Sequence, residues 1–157
     1  MSLKVSDDYL IGFVEGEGMF YVGIVPSRGT SRNKSGWQVI YFFKVSQNPT
    51  GRLILEQLKA RLGCGYIKEN SKTDFSDKSL AYVVRDFESI KEKVIPFFRD
   101  RLIIKRDSFE KFERIISLVS QKEHLTYQGM KKILDLAYSM NTQKRRVSKQ
   151  EILKTYN

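Results

Sequence analysis

The sequence predicts an α+β fold, an antiparallel sheet with helices on one face and a helical C-terminal tail. Three observations predict it. Residues 37–47 alternate side chains with the period of two that a half-buried strand requires. Residues 53–62 and 108–120 place leucine, isoleucine and phenylalanine at helical spacing. Read in order, the elements run helix, strand, strand, helix, strand, strand, helix, and only helices follow.

Asp7 or Asp8 can cap a first helix running through Tyr9 to Gly18. That helix carries Gly12 and Gly16 four residues apart, although an interior glycine costs about 1 kcal/mol relative to alanine. Two on one face suggest that another backbone approaches closely there. Met19 to Val25 is β-prone, and residues 26–36 form a long polar, basic loop. The strand Trp37 to Gln47 puts Val39, Tyr41, Phe43 and Val45 on one face and Gln38, Ile40, Phe42, Lys44 and Ser46 on the other. Asn48-Pro49-Thr50-Gly51 ends it.

Leu53, Leu55, Leu58 and Leu62 mark the second helix, which Gly63 closes. Residues 65–70 and 79–85 read as a second strand pair around a turn at 72–77. A helix follows over residues 87–98, with Ile90, Val94, Ile95 and Phe98 inward. Helices over 108–120, 126–140 and 149–156 complete the tail. No linker or composition shift interrupts the chain. It therefore reads as one domain over 1–157, a core at 1–100 and a helical part at 101–157.

Composition narrows the function. The 157 residues are 41% hydrophobic and 29% charged, which excludes a disordered chain and a membrane bundle. No run of about 18 apolar residues occurs, and the polar N-terminus has no signal-type apolar core. An intracellular protein is expected, in the cytoplasm of a prokaryote or in the organelle that encodes it. The net charge of +10 points to a polyanionic partner, nucleic acid before a membrane surface. One cysteine, Cys64, and one histidine, His124, exclude an intrachain disulfide and a Cys/His zinc site. His124 lies in the polar stretch 120–127 and reads as a solvated helix-end residue, so chemistry here falls to carboxylates and lysines.

The stretch Leu10-Ile11-Gly12-Phe13-Val14-Glu15-Gly16-Glu17-Gly18 resembles the LAGLIDADG motif of homing endonucleases, with Glu at both acidic positions. The resemblance extends over nearly the whole chain. Phe43-Lys44-Val45-Ser46-Gln47 is similar to the end of that family's second strand, and Leu62-Gly63-Cys64-Gly65-Tyr66-Ile67 to its entry into the third. Lys105 stands before a helix, where the family places a basic residue. The implied fold is αββαββα with a saddle-shaped sheet. A single motif in so short a chain resembles the homodimeric members, whose motif helices pack together; Leu10, Gly12, Phe13 and Gly16 would form that interface.

The resemblance implies a site-specific endonuclease that hydrolyses double-stranded DNA, leaves 3′ overhangs and serves intron mobility. It implies Glu17 and the carbonyl of Gly16 as ligands for Mg²⁺, with Mn²⁺ or Ca²⁺ able to substitute in binding, and no small-molecule cofactor. Gln47 and Lys105 would arrange water and offset transition-state charge, and Arg101 and Arg106 compete with Lys105 for that role. On the residues alone, Glu15 and Glu17 also read as a solvated helix end. Acidic groups there oppose the helix dipole, so a compensating cation is expected.

Strands of about ten residues span roughly 33 Å, about one duplex turn. The outward face of the second strand offers Gln38, Ile40, Phe42, Lys44 and Ser46 to base edges, with Asn48 just beyond. Lys68, Asn70, Ala81, Val83 and Arg85 continue that face on the other strand pair. Ser27, Arg28, Arg32, Asn33 and Lys34 of the basic loop suit phosphates and outer bases, and Lys144-Arg145-Arg146 with Lys149 read either as added backbone contacts or simply as a basic tail. The competing reading is a non-catalytic binder of the same fold, an RNA maturase or a DNA-binding regulator.

Overall fold

Ser6 begins the first helix. Its hydroxyl accepts from the Tyr9 N–H at 3.1 Å, so Ser6, not Asp7 or Asp8, caps α1 (Asp7–Glu17). Asp7 turns instead to Arg61, which donates to both of its carboxylate oxygens at 2.7 and 2.9 Å. These details come from a computed structural model that describes residues 3–27, 35–140 and 144–156. The predicted loop residues Arg28, Arg32, Asn33 and Lys34 therefore lie outside the described residues.

The remaining elements are β1 (Gly18–Pro26), β2 (Trp37–Gln47), a 3₁₀ turn (Pro49–Gly51), α2 (Arg52–Leu62), β3 (Tyr66–Glu69) and β4 (Leu80–Val84). Then come α3 (Phe87–Ser89), a π-helical turn (Ile90–Val94), α4 (Ile95–Phe98), α5 (Arg106–Ser120), a 3₁₀ turn (Glu123–Leu125), α6 (Tyr127–Ala137) and α7 (Lys149–Leu153). The architecture is α+β, with a four-stranded sheet in the order β1-β2-β4-β3. Among the described residues no helix is long and apolar enough to cross a membrane.

The predicted helix over 87–98 is present but interrupted. Pro96 has no N–H to give and its ring crowds the carbonyl four residues back; the wider turn just before it relieves that clash. Ile90, Val94, Ile95 and Phe98 are all buried, as their spacing requires. At the end of α2, Gly63 takes the left-handed conformation at φ 70°, which closes the helix where the leucine repeat stops.

The chain divides into two compact units. The first comprises Met1–Phe20 with Phe42–Arg106, the second Tyr21–Tyr41 with Asp107–Asn157. In the first, Phe20, Phe43 and Phe98 form an aromatic cluster with centroids 5.2–5.6 Å apart, and Tyr82 meets Phe43 edge-on at 6.2 Å. Burial pushes the Tyr82 hydroxyl pKa far up, and that hydroxyl donates to the Cys64 carbonyl at 2.7 Å.

In the second unit, Phe112, Ile115, Ile116, Met130, Ile133, Leu134 and Ile152 are buried. Arg145 donates to the Val22 and Ala137 carbonyls at 2.9 and 2.7 Å, and its guanidinium lies over the rings of Tyr21 and Tyr138. It is an internal tie and not the open phosphate contact its neighbours in the basic run suggested. His124 is half-buried in a 3₁₀ turn, not solvated; burial holds its pKa below the usual histidine value.

Candidate nucleic-acid interface and acidic site

Register decides which side chains share a face. In the first unit Lys44 pairs with Val83 and Val83 with Tyr66, while Ser46 pairs with Ala81 and Ala81 with Lys68. Antiparallel partners project to the same side, so these rows form one face. Phe42 and Arg85 extend it, with the Arg85 guanidinium 5.6 Å from the Phe42 ring centroid. Asn70 is committed internally, its amide donating to the hydroxyls of Ser79 at 2.9 Å and Ser46 at 3.3 Å. Ala81 and Val83 lie on the face by register but are buried, at 0% and 1% exposure. The side chains this face holds open are Tyr66, Lys68 and Arg85, with Lys44 and Ser46 half-buried. Asn48 is exposed just past β2. In the second unit Gln38 is exposed, Ile40 is half-buried, and the Ser27 N–H is bonded to the Gly36 carbonyl at 2.8 Å.

The acidic site stands at the end of α1. Glu17 is the last residue of the helix and is exposed, and no basic residue occupies the last turn. Glu15, half-buried, accepts from the N–H groups of Ile103 and Ile104 at 2.7 and 2.6 Å. The two acidic positions of the motif are thus unequal: one is engaged by two backbone donors, the other faces outward. Gly12 and Gly16 are both exposed, and a side chain built on either would meet nothing within 4 Å. Leu10, by contrast, is buried within its own unit at 1% exposure, and Phe13 is half-buried.

Gln47 ends β2 half-buried, opposite Leu80. Gly51 makes room for it, since a Cβ at 51 would lie 2.8 Å from the Gln47 Oε1. That requirement was open to sequence reasoning only as a turn glycine. Of the cations near the helix, Arg101 is engaged by Asp7 at 3.5 Å and lies over the Phe97 ring, and the Arg106 Nε donates to the Leu102 carbonyl at 3.1 Å. Lys105 is half-buried immediately before α5.

The donors fit a hard divalent cation in part. A carboxylate at a helix C-terminus, where backbone carbonyls are exposed and the dipole is negative, suits an oxygen-ligated ion that keeps most of its waters. Among the described residues of one chain no cluster of three metal-ligating side chains occurs. The remaining ligands would have to be water, substrate or a second chain.

The family model described as LAGLIDADG endonuclease matches residues 10–116, and the chain belongs to that family. The solved homing endonuclease I-TnaI superposes with a TM-score of 0.80 at 33% identity, covering 98% of this chain and 97% of that one. I-SmaMI bound to uncleaved DNA target in the presence of calcium ions gives 0.80 at 29% identity, covering 91% of this chain but 47% of that one. A probable intron-encoded endonuclease of Neurospora crassa is 29% identical over 135 residues, 85% of this chain and 27% of its own length. The chain spans about a quarter to a third of the length of the curated relatives it matches.

Proposed function

We propose that this chain is the protomer of a site-specific endonuclease that cuts double-stranded DNA as a homodimer. The observation that carries the reading is the asymmetry at the end of α1, where Glu17 stands exposed with no basic residue in its helical turn, beside a glycine face with open space above it. Two copies joined by that face would bring two Glu17 carboxylates together on the two-fold axis, one for each DNA strand. The fold of one copy corresponds to the whole of I-TnaI and to about half of I-SmaMI.

Glu17 and the Gly16 carbonyl would hold Mg²⁺, or Mn²⁺ or Ca²⁺ in binding. When bound, such an ion supplies Lewis-acid polarisation of the scissile phosphate and a more acidic water. Gln47, seated by Gly51, would orient water through its amide. Lys105, half-buried just before α5, would offset developing phosphate charge as the family resemblance implies, with Arg101 and Arg106 as the competing cations. Lys44, Lys68 and Arg85 would meet the duplex on the sheet face. Cleavage with 3′ overhangs and a role in intron mobility follow from the family, in the compartment that holds the target DNA.

The test is Glu17→Gln against a supercoiled plasmid library with randomised inserts. Wild type should linearise a subset in Mg²⁺, and the variant should bind that subset while failing to cut it. Binding without cleavage by wild type would favour the non-catalytic reading; cleavage by the variant at the normal rate would remove Glu17 from the mechanism.

A further inference from the structure

We infer that Glu15 is a positioning residue, holding the segment that carries Lys105 in place beside the end of α1. The inference rests on the nuclease reading of this site. Glu15 and Glu17 sit two residues apart on one helix, so their side chains leave it about 200° apart. One is therefore turned to a neighbouring segment while the other is exposed.

The Glu15 carboxylate binds two consecutive backbone N–H groups, those of Ile103 and Ile104, at 2.7 and 2.6 Å. Bonds to an ionised acceptor are roughly twice as strong as neutral ones. Two of them on adjacent peptides fix the orientation of the backbone as well as its position. The next residue is Lys105.

Little apolar packing supports this stretch. Ile103 and Ile104 are 82% and 78% exposed, and Leu102 is the buried side chain beside them. At the opposite end of α1, Asp7 takes hold of Arg101 at 3.5 Å. The helix thus grips one segment at two points, and the grip nearer Glu17 is Glu15. The two donors also answer the unfavourable placement of an acidic group at a helix C-terminus. Glu15 thereby joins the two stretches of chain that carry Glu17 and Lys105.

Glu15→Gln is the test, because it keeps the size but sets an amide NH₂ against one of the two N–H donors. Amide hydrogen exchange at Ile103 and Ile104 should quicken about tenfold or more while the melting temperature changes little. Single-turnover cleavage of the plasmid library should slow by about tenfold or more with DNA affinity unchanged, since small misplacements of a reacting group carry large rate effects. Glu15→Asp, which keeps both carboxylate oxygens, should recover part of both effects. Glu17→Gln should abolish cleavage and leave exchange at Ile103 and Ile104 as in wild type.

Unchanged exchange in Glu15→Gln would overturn the proposal, as would parallel loss of cleavage, affinity and melting temperature. If wild type cuts nothing, the nuclease reading fails and Mn²⁺ alone becomes the probe. Broadening of the Lys105 side-chain resonances by Mn²⁺, abolished in Glu17→Gln and altered in Glu15→Gln, would uphold the positioning role. Identical broadening in wild type and Glu15→Gln, or none in either, would overturn it.

Discussion

The two faces of the sheet in the first unit are built from alternate residues of the same strands, and they differ in almost every physical respect. On one, Phe43, Val45 and Tyr82 are fully buried, and the Phe43 ring packs against those of Phe20, Phe98 and Tyr82. On the other, Lys44 and Ser46 are half-open, and Lys68 and Arg85 are exposed. No polar or charged residue is wholly buried among the described residues. The contrast teaches that stability and recognition were allotted to opposite sides of one element. β4, which lies between β2 and β3, is buried at every position, whereas the open groups stand on β2, on β3 and, at Arg85, just past the end of β4.

Substitutions at adjacent residues can break this comparison. Phe43→Ala should cost about 3–5 kcal/mol in chemical denaturation, because it removes the centre of the aromatic cluster. Lys44→Ala, one residue on, should change stability by less than about 0.5 kcal/mol. Its effect should appear instead in duplex binding, where the slope of log Kd against log salt should fall by about one; Lys68→Ala should do the same. A stability loss at Lys44 as large as at Phe43 would erase the distinction between the faces.

The smallest effect is expected where surface charge is already paired. The Arg61 guanidinium bonded to Asp7, with Arg101 beside it, holds that carboxyl below the usual carboxylate range. A carboxyl with a depressed folded value contributes stability above its unfolded value near 3.8 and loses it as pH falls through the folded value. Asp7→Asn should therefore cost about 1 kcal/mol or less at neutral pH, and its deficit against wild type should vanish in strong acid. Denaturation curves across pH 2–7 check it (a range set by the carboxylate titration).

Much of this was legible beforehand, for reasons that can be named. The period-two alternation of residues 37–47 announced β2 to the residue, because one face had to be apolar. Gly63 announced the end of α2, because a left-handed turn favours glycine. Other features depended on partners distant in sequence. Ser6 displaced Asp7 as the cap because Asp7 is drawn to Arg61, 54 residues away. Ala81 and Val83 shared the predicted face yet are buried, since alternation shows which side a residue faces and not how deeply its neighbours cover it.

The division of labour between Glu15 and Glu17 belongs to the same class. The sequence presents two equivalent acidic residues in one motif; it determined the helix, its glycine face and the family to which the chain belongs. Only the tertiary structure decided that one carboxylate would be tied to the backbone of Ile103 and Ile104 and the other left open. Local patterns are set by the short-range geometry of helices and strands, whereas the partner of a side chain is set by whichever distant backbone folding brings within hydrogen-bond reach.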